Sequence, residues 1–268
     1  MKYALLLSYL GTRYCGWQRQ KGSAAEGDPS LQETIEKALS QITQEKISCV
    51  ASGRTDAGVH ACGQVAHFRL TRDDWKRENI QNGLNSLLPD AIRVLAIREV
   101  PEDFHAQLSA ERKQYSFYFQ QGPCELPHVA RTSWWIRKRL DWEAMHEAVG
   151  ALVGEHDFVP FQAAGANVKT TVRTIFEARV APEPIGFPDL QASQALGYGM
   201  VRLTLVGSGF LKQMVRGIAG TLLQVGEGKR PATCMREILE KKDRSLVGAT
   251  AQPRGLWLEK VWYRDVAF

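Results

Sequence analysis

The sequence predicts an α+β protein built from two tandem ferredoxin-like units, each reading β-α-β-β-α-β. Three observations carry that prediction. Apolar strand runs and amphipathic helical stretches alternate in that order up to residue 107. The same order recurs from Gln114 onward. The chain has 268 residues, 44% of them hydrophobic and 24% charged, which is ordinary for a globular protein and enough for two modest domains. Two such copies would form a mostly antiparallel sheet with helices on one face and a cleft on the other. The predicted division is residues 1–107, carrying an aspartate loop described below, and residues 108–268.

In the first copy, Tyr3 to Tyr9 is an apolar run short enough for a buried strand. Leu31, Ile35, Ala38, Leu39 and Ile42 then make one face of a helix over Leu31 to Gln44, with Ser30 as its N-cap. Strands follow at Ile47 to Ser52 and Gln64 to Arg69, a helix near Asp74 to Ser86, and a strand at Ile92 to Val100. The second copy has a strand at Gln114 to Phe119, a helix over Asp141 to Leu152, and strands at Val172 to Val180 and Met200 to Val206. A helix at Leu211 to Val225 and a strand at Leu256 to Tyr263 complete it. Four segments depart from the repeat and read as loops: Gln20 to Pro29, Gly122 to Ser133, Ala181 to Gln194, and Gly226 to Gly248.

Charge narrows the partners only a little. A net charge of +5, with 34 basic against 29 acidic residues, suits an acidic polymer but is also common in proteins that bind none. Five scattered cysteines without a Cys-x-x-Cys pair indicate neither a disulfide framework nor a zinc ribbon and read as reduced thiols. The N-terminal apolar run breaks into Gly11-Thr12-Arg13 with no small-residue cleavage site, and no run approaches a membrane span. The expectation is a cytoplasmic protein without a membrane segment.

Residues Ala51 to Phe68, ASGRTDAGVHACGQVAHF, hold the chain's leading chemical candidate. Gly53 and Gly58 would each cost about 1 kcal/mol inside a helix, and Thr and Asp favour caps and turns, so this run is a loop that presents side chains. Arg54, two residues before Asp56, favours the ionised carboxylate, which suits a nucleophile or an electrostatic stabiliser better than a general acid. On the residues alone, a loop aspartate that merely caps the turn with a salt bridge is the favoured reading, since structural ion pairs are common. Tyr115, Phe117 and Phe119 share one strand face, which serves either as core or as a stacking platform. Lys212 and Arg216 lie four apart on one helix face beside Gly217 and Gly220, and Arg216 reads as a solvated charge or a functional one. The two interior glycines imply a close neighbour there, which we expect to be the other half of the molecule. Neither Gly207-Ser-Gly-Phe-Leu-Lys nor Gly226-Glu-Gly-Lys-Arg completes a nucleotide-binding motif, and no histidine pair has zinc spacing, so no cofactor or metal is expected.

GRTDAGVHA resembles the signature of the TruA family of tRNA pseudouridine synthases, whose aspartate falls on Asp56. The likeness extends to Tyr14, Gly16, Trp17, Gln18 and Arg19, to Gln64 through Phe68, and to Ala110 through Tyr115. It continues through Asp157-Phe158, Arg173-Thr174, Gly209 to Leu211 with Met214 to Arg216, and Gly255-Leu256. The resemblance implies isomerisation of uridine to pseudouridine in the anticodon arm of tRNA, at tRNA positions 38, 39 and 40. It assigns Asp56 as nucleophile, Tyr115 as the ring against the target uracil, Arg216 as the basic partner of the aspartate, and Arg54 to the space the base leaves. It also implies a homodimer. Two rival readings remain: a non-catalytic RNA-binding protein made of two RRM-like units, and a hydrolase pairing Asp56 with His60.

Overall fold

A computed structural model describes residues 1–19, 28–72, 75–165, 168–185 and 196–268. Most of the loops expected at 20–29 and 181–194 therefore lie outside the described residues, as does Asp74. The fold is α+β, and the described residues form five helices and ten strands that are mostly antiparallel. The chain divides into two compact units, Met1–Lys113 together with Trp257–Phe268, and Gln114–Leu256.

In the first unit the elements are β1 (Lys2–Tyr9), α1 (Leu31–Thr43), β2 (Val50–Ala51), β3 (His60–Arg69), α2 (Arg77–Leu87) and β4 (Ile92–Glu99). Strand β1 lies antiparallel between β4 and β3, and β2 pairs with the far edge of β3, giving the ferredoxin-like order β4-β1-β3-β2. Helix α1 starts where Ser30 accepts a hydrogen bond from the Glu33 N–H at 3.2 Å, and it buries Leu31, Ile35, Ala38 and Leu39. Its polar residue Glu36 is also buried, and the Arg19 guanidinium meets it at 2.7 Å. That pairing offsets the cost of a buried carboxylate.

The expected second strand shrinks to two residues, Val50 and Ala51, which pair only with His67 and Ala66. The edge of β3 beyond them would be left with unpaired N–H and C=O groups. Strand β10 (Leu256–Tyr263) fills that edge, running parallel to β3 with Trp257 opposite His60 and Leu258 opposite Ala61. Trp257–Phe268 thus folds with the first unit, whereas the sequence division grouped it with the second.

The second unit holds most of β5 (Ala110–Gln121), then β6 (Trp134–Ile136), α3 (Trp142–Gly150), β7 (Gly154–Asp157), β8 (Val172–Glu183), β9 (Gly199–Gly207), α4 (Met214–Gly226) and α5 (Cys234–Lys241). Strand order runs β5-β9-β8-β7, with the short β6 parallel to β5. Helix α5 falls inside the segment read as a loop from Gly226 to Gly248. It buries Cys234, Met235, Ile238 and Leu239, one narrow stripe of a two-turn helix. Helix α4 begins at Met214 rather than Leu211, because Gln213 takes a left-handed φ of 60° and Met214 N–H closes a turn onto the Leu211 carbonyl.

Candidate functional site

The loop carrying Asp56 leaves β2 and enters β3, and contacts with backbone atoms fix its course. Trp17 N–H donates to the Thr55 carbonyl at 3.0 Å, and Val59 N–H to the Asp56 carbonyl at 3.1 Å. Gly16 forms an isolated antiparallel bridge with Asp56. Only glycine fits there: Gly16 has a φ of 108°, and a Cβ on it would lie 2.7 Å from the Thr55 carbonyl oxygen. Tyr14 and Trp17, on either side of it, are buried. The segment Tyr14 to Trp17 is therefore the backing strip of the loop.

Behind the loop lies a buried polar network. Gln64, wholly enclosed in β3, donates from Nε2 to the Gly53 carbonyl at 2.8 Å and to the Tyr9 hydroxyl at 3.4 Å. Its Oε1 accepts from the Ser52 hydroxyl at 2.7 Å. The Tyr9 hydroxyl meets Thr55 Oγ1 at 2.8 Å. Burial pushes the Tyr9 phenol up to about 12, against the smaller opposing pull of its bonds to Thr55 and Gln64. In front of these supports, Asp56 is half-buried and Arg54 exposed.

His60, the first residue of β3, is fully buried. Its Nδ1 accepts from Gly11 N–H at 3.1 Å and its ring stacks on Trp257, centroids 4.6 Å apart. A histidine so enclosed is a fastener rather than a solvent-facing base, which removes the physical ground for a hydrolase pairing it with Asp56.

Tyr115 and Arg216 belong to the second unit. On β5, Tyr115, Phe117 and Phe119 are all buried, as the alternation predicts. The face opposite is polar: Ser116 Oγ accepts from Arg202 Nε at 3.1 Å, and the Arg202 guanidinium lies 5.6 Å from the Tyr118 ring centroid. Tyr115 is 8% exposed and meets Phe210 edge to face at 5.0 Å. Arg216, half-buried in the first turn of α4, donates from Nε to the Ala251 carbonyl at 2.7 Å. Its own carbonyl accepts from Ala251 N–H at 3.1 Å.

The interior glycines of α4 do have a close neighbour, but it is the segment Val247 to Ala251 of the same unit rather than the other half of the molecule. A Cβ on Gly220 would lie 1.7 Å from the Ala249 carbonyl oxygen. Tyr9, Thr55 and Gln64 went unmarked as a group in the sequence, although a glutamine inside the apolar run of β3 is the kind of residue that signals a buried polar contact. Among the described residues, no group of three or more metal-ligating side chains stands together. No described helix is long and apolar enough to cross a membrane.

Comparison with known proteins adds the relationship. The family model described as tRNA pseudouridine synthase matches residues 6–108 and 148–264. A tRNA pseudouridine synthase A of Sinorhizobium fredii is 39% identical over 98% of this chain and 99% of its own. The corresponding protein of Bdellovibrio bacteriovorus is 40% identical over 98% and 95%, and that of Pseudomonas aeruginosa 38% over 98% and 85%.

Proposed function

Since the chain belongs to the tRNA pseudouridine synthase family, and is an isomerase acting on tRNA, we propose that it modifies uridines in the anticodon arm with Asp56 as nucleophile. The observation carrying this reading is a half-buried carboxylate, Asp56, on a loop whose backbone is pinned from both sides. A nucleophile gains its rate from being held in place before the substrate arrives.

The reaction keeps every atom. The bond from ribose C1′ to N1 of uracil breaks, the base turns, C5 bonds to C1′, the C5 proton leaves to a base, and N1 takes up a proton. The Asp56 carboxylate attacks either the sugar or the pyrimidine ring and is released at the end, so no oxidant or group donor is consumed. Reaching a stacked uridine means turning it out of the helix at about a few kcal/mol, and stacking on Tyr115 at about 1 to 3 kcal/mol offsets much of that. Arg54, exposed beside Asp56, occupies the space the base vacates. Arg216 supplies positive charge to the carboxylate. The protein works in the cytoplasm as a homodimer.

The test is incubation with an unmodified tRNA transcript followed by mapping of pseudouridine. Product of unchanged mass with pseudouridine in the anticodon arm is expected. Asp56→Asn should bind tRNA as tightly as the wild type and make no product, and near-normal turnover by that variant would refute the assignment. Strand cleavage would indicate a hydrolase, and binding without modification a non-catalytic RNA-binding module.

A further inference from the structure

The network behind the Asp56 loop has a direction. The Gly53 carbonyl can only accept, so the amide of Gln64 must turn its NH2 toward it, which leaves Oε1 for the Ser52 hydroxyl. The same NH2 also donates to the Tyr9 oxygen at 3.4 Å. Tyr9 then has its own proton left for Thr55 Oγ1, 2.8 Å away. Ser52, Gln64, Tyr9 and Thr55 are all buried, at 0 to 5% exposure. Burying four polar side chains stabilises little in net terms compared with apolar packing, but it fixes orientation, because each bond has a preferred line. The bonds end on Gly53 and Thr55, the residues flanking Arg54 and immediately preceding Asp56.

We propose that Gln64 and Tyr9 are positioning residues: through Gly53 and Thr55 they set where the Asp56 carboxylate stands against the bound nucleotide. This rests on the reading of Asp56 as nucleophile. A loop held only by apolar contact could shift by about 1 Å at small cost, and a shift of that size at a reacting group can lower a rate about 100-fold. Burial holds the Tyr9 phenol above its usual range, so at neutral pH it carries the proton that this arrangement requires.

The experiment uses the full chain and an unmodified tRNA transcript, and measures single-turnover rate and tRNA Kd separately. Tyr9→Phe and Thr55→Val each delete one hydroxyl and keep the shape of the side chain. The expected result is a rate lowered about 10- to 100-fold with Kd changed less than about twofold. Thr55→Ser, which restores the hydroxyl, should recover most of what Thr55→Val loses. Tyr3→Phe removes another hydroxyl from β1 away from the loop and should leave both quantities as they are, which separates positioning from general weakening of the strand. Gln64→Leu tests the hub directly, and the two hydroxyl deletions decide the matter if that variant does not fold. Unaltered rates in Tyr9→Phe and Thr55→Val, alongside an inactive Asp56→Asn, overturn this inference alone. An active Asp56→Asn overturns the nucleophile assignment and this inference with it.

Discussion

Gly220→Ala tests the packing of α4. In an exposed helix interior, the added methyl group would stabilise by about 1 kcal/mol through backbone entropy and helix propensity. Here the new Cβ would stand 1.7 Å from the Ala249 carbonyl oxygen, with the Ala249 carbonyl carbon at 2.9 Å and Ala251 N at 3.3 Å. The segment must retreat by roughly 2 Å to reach ordinary contact. Backbone cannot swing aside as the end of a flexible side chain would. Retreat pulls on the reciprocal pair between Arg216 and Ala251, at 2.7 and 3.1 Å. Losing a backbone hydrogen bond costs about 1 kcal/mol, and losing one from a charged donor about 1.5 to 3 kcal/mol. Against the gain of about 1 kcal/mol, the net loss is about 1.5 to 3 kcal/mol. Urea unfolding followed by circular dichroism reads that directly. Gly150→Ala is the matched control: Gly150 closes α3 with nothing within 4 Å of the added atom, so that variant should be neutral or slightly more stable. Gly220→Ala unfolding within about 0.5 kcal/mol of the wild type would refute the close approach.

Two further predictions concern the first unit. His67 has its pKa lowered from 6.5 to about 4, first by burial and then by His105, Lys2 and Arg69. Between those values the unfolded chain takes up a proton that the folded one refuses, so stability should fall as pH drops from about 6.5 toward 4, by at most about 1.4 kcal/mol per unit. His67→Asn, which keeps an acceptor for Ala106 N–H, should flatten the pH dependence of the unfolding midpoint, and an unchanged slope would reject His67 as its source. Ser30→Ala removes the cap of α1 and should destabilise by about 1 kcal/mol in the same urea assay, with no change in modification rate per folded enzyme.

How far the fold was legible depended on the range of the interactions that decide each element. Helix α1 was readable because its causes are local: Ser30 caps it and Leu31, Ile35 and Leu39 recur at helical spacing. Strand β10 was readable in extent, from Leu256 to Tyr263, but not in allegiance. Its partner His60 lies far back in the sequence, and no period in either strand names the other. The same limit shortened β2, since the vacancy it leaves on β3 is visible only once β10 is in place. Helix α5 was hidden for a different reason. Eight residues give too few turns for periodicity to stand out, although Cys234, Met235, Ile238 and Leu239 do lie at helical spacing.

At the candidate site, the loop around Asp56 was legible because Gly, Thr and Asp exclude a helix. What holds it was not, because the supports come from Tyr9, Gly16, Trp17 and Gln64, each at a distance in sequence that only the folded chain closes. Those supports also decide what a substitution at the loop can mean. They end on the Gly53, Thr55 and Asp56 backbone and on the Thr55 hydroxyl, and exchanging one carboxylate oxygen of Asp56 for an amide nitrogen alters none of them. Asp56→Asn should therefore keep these supports of the loop while losing turnover. Tyr9→Phe should retain the carboxylate and lose its placement. A chemical group and its mounting are then separable by experiment: one variant removes the reactive charge from an intact frame, and the other loosens the frame around an intact charge.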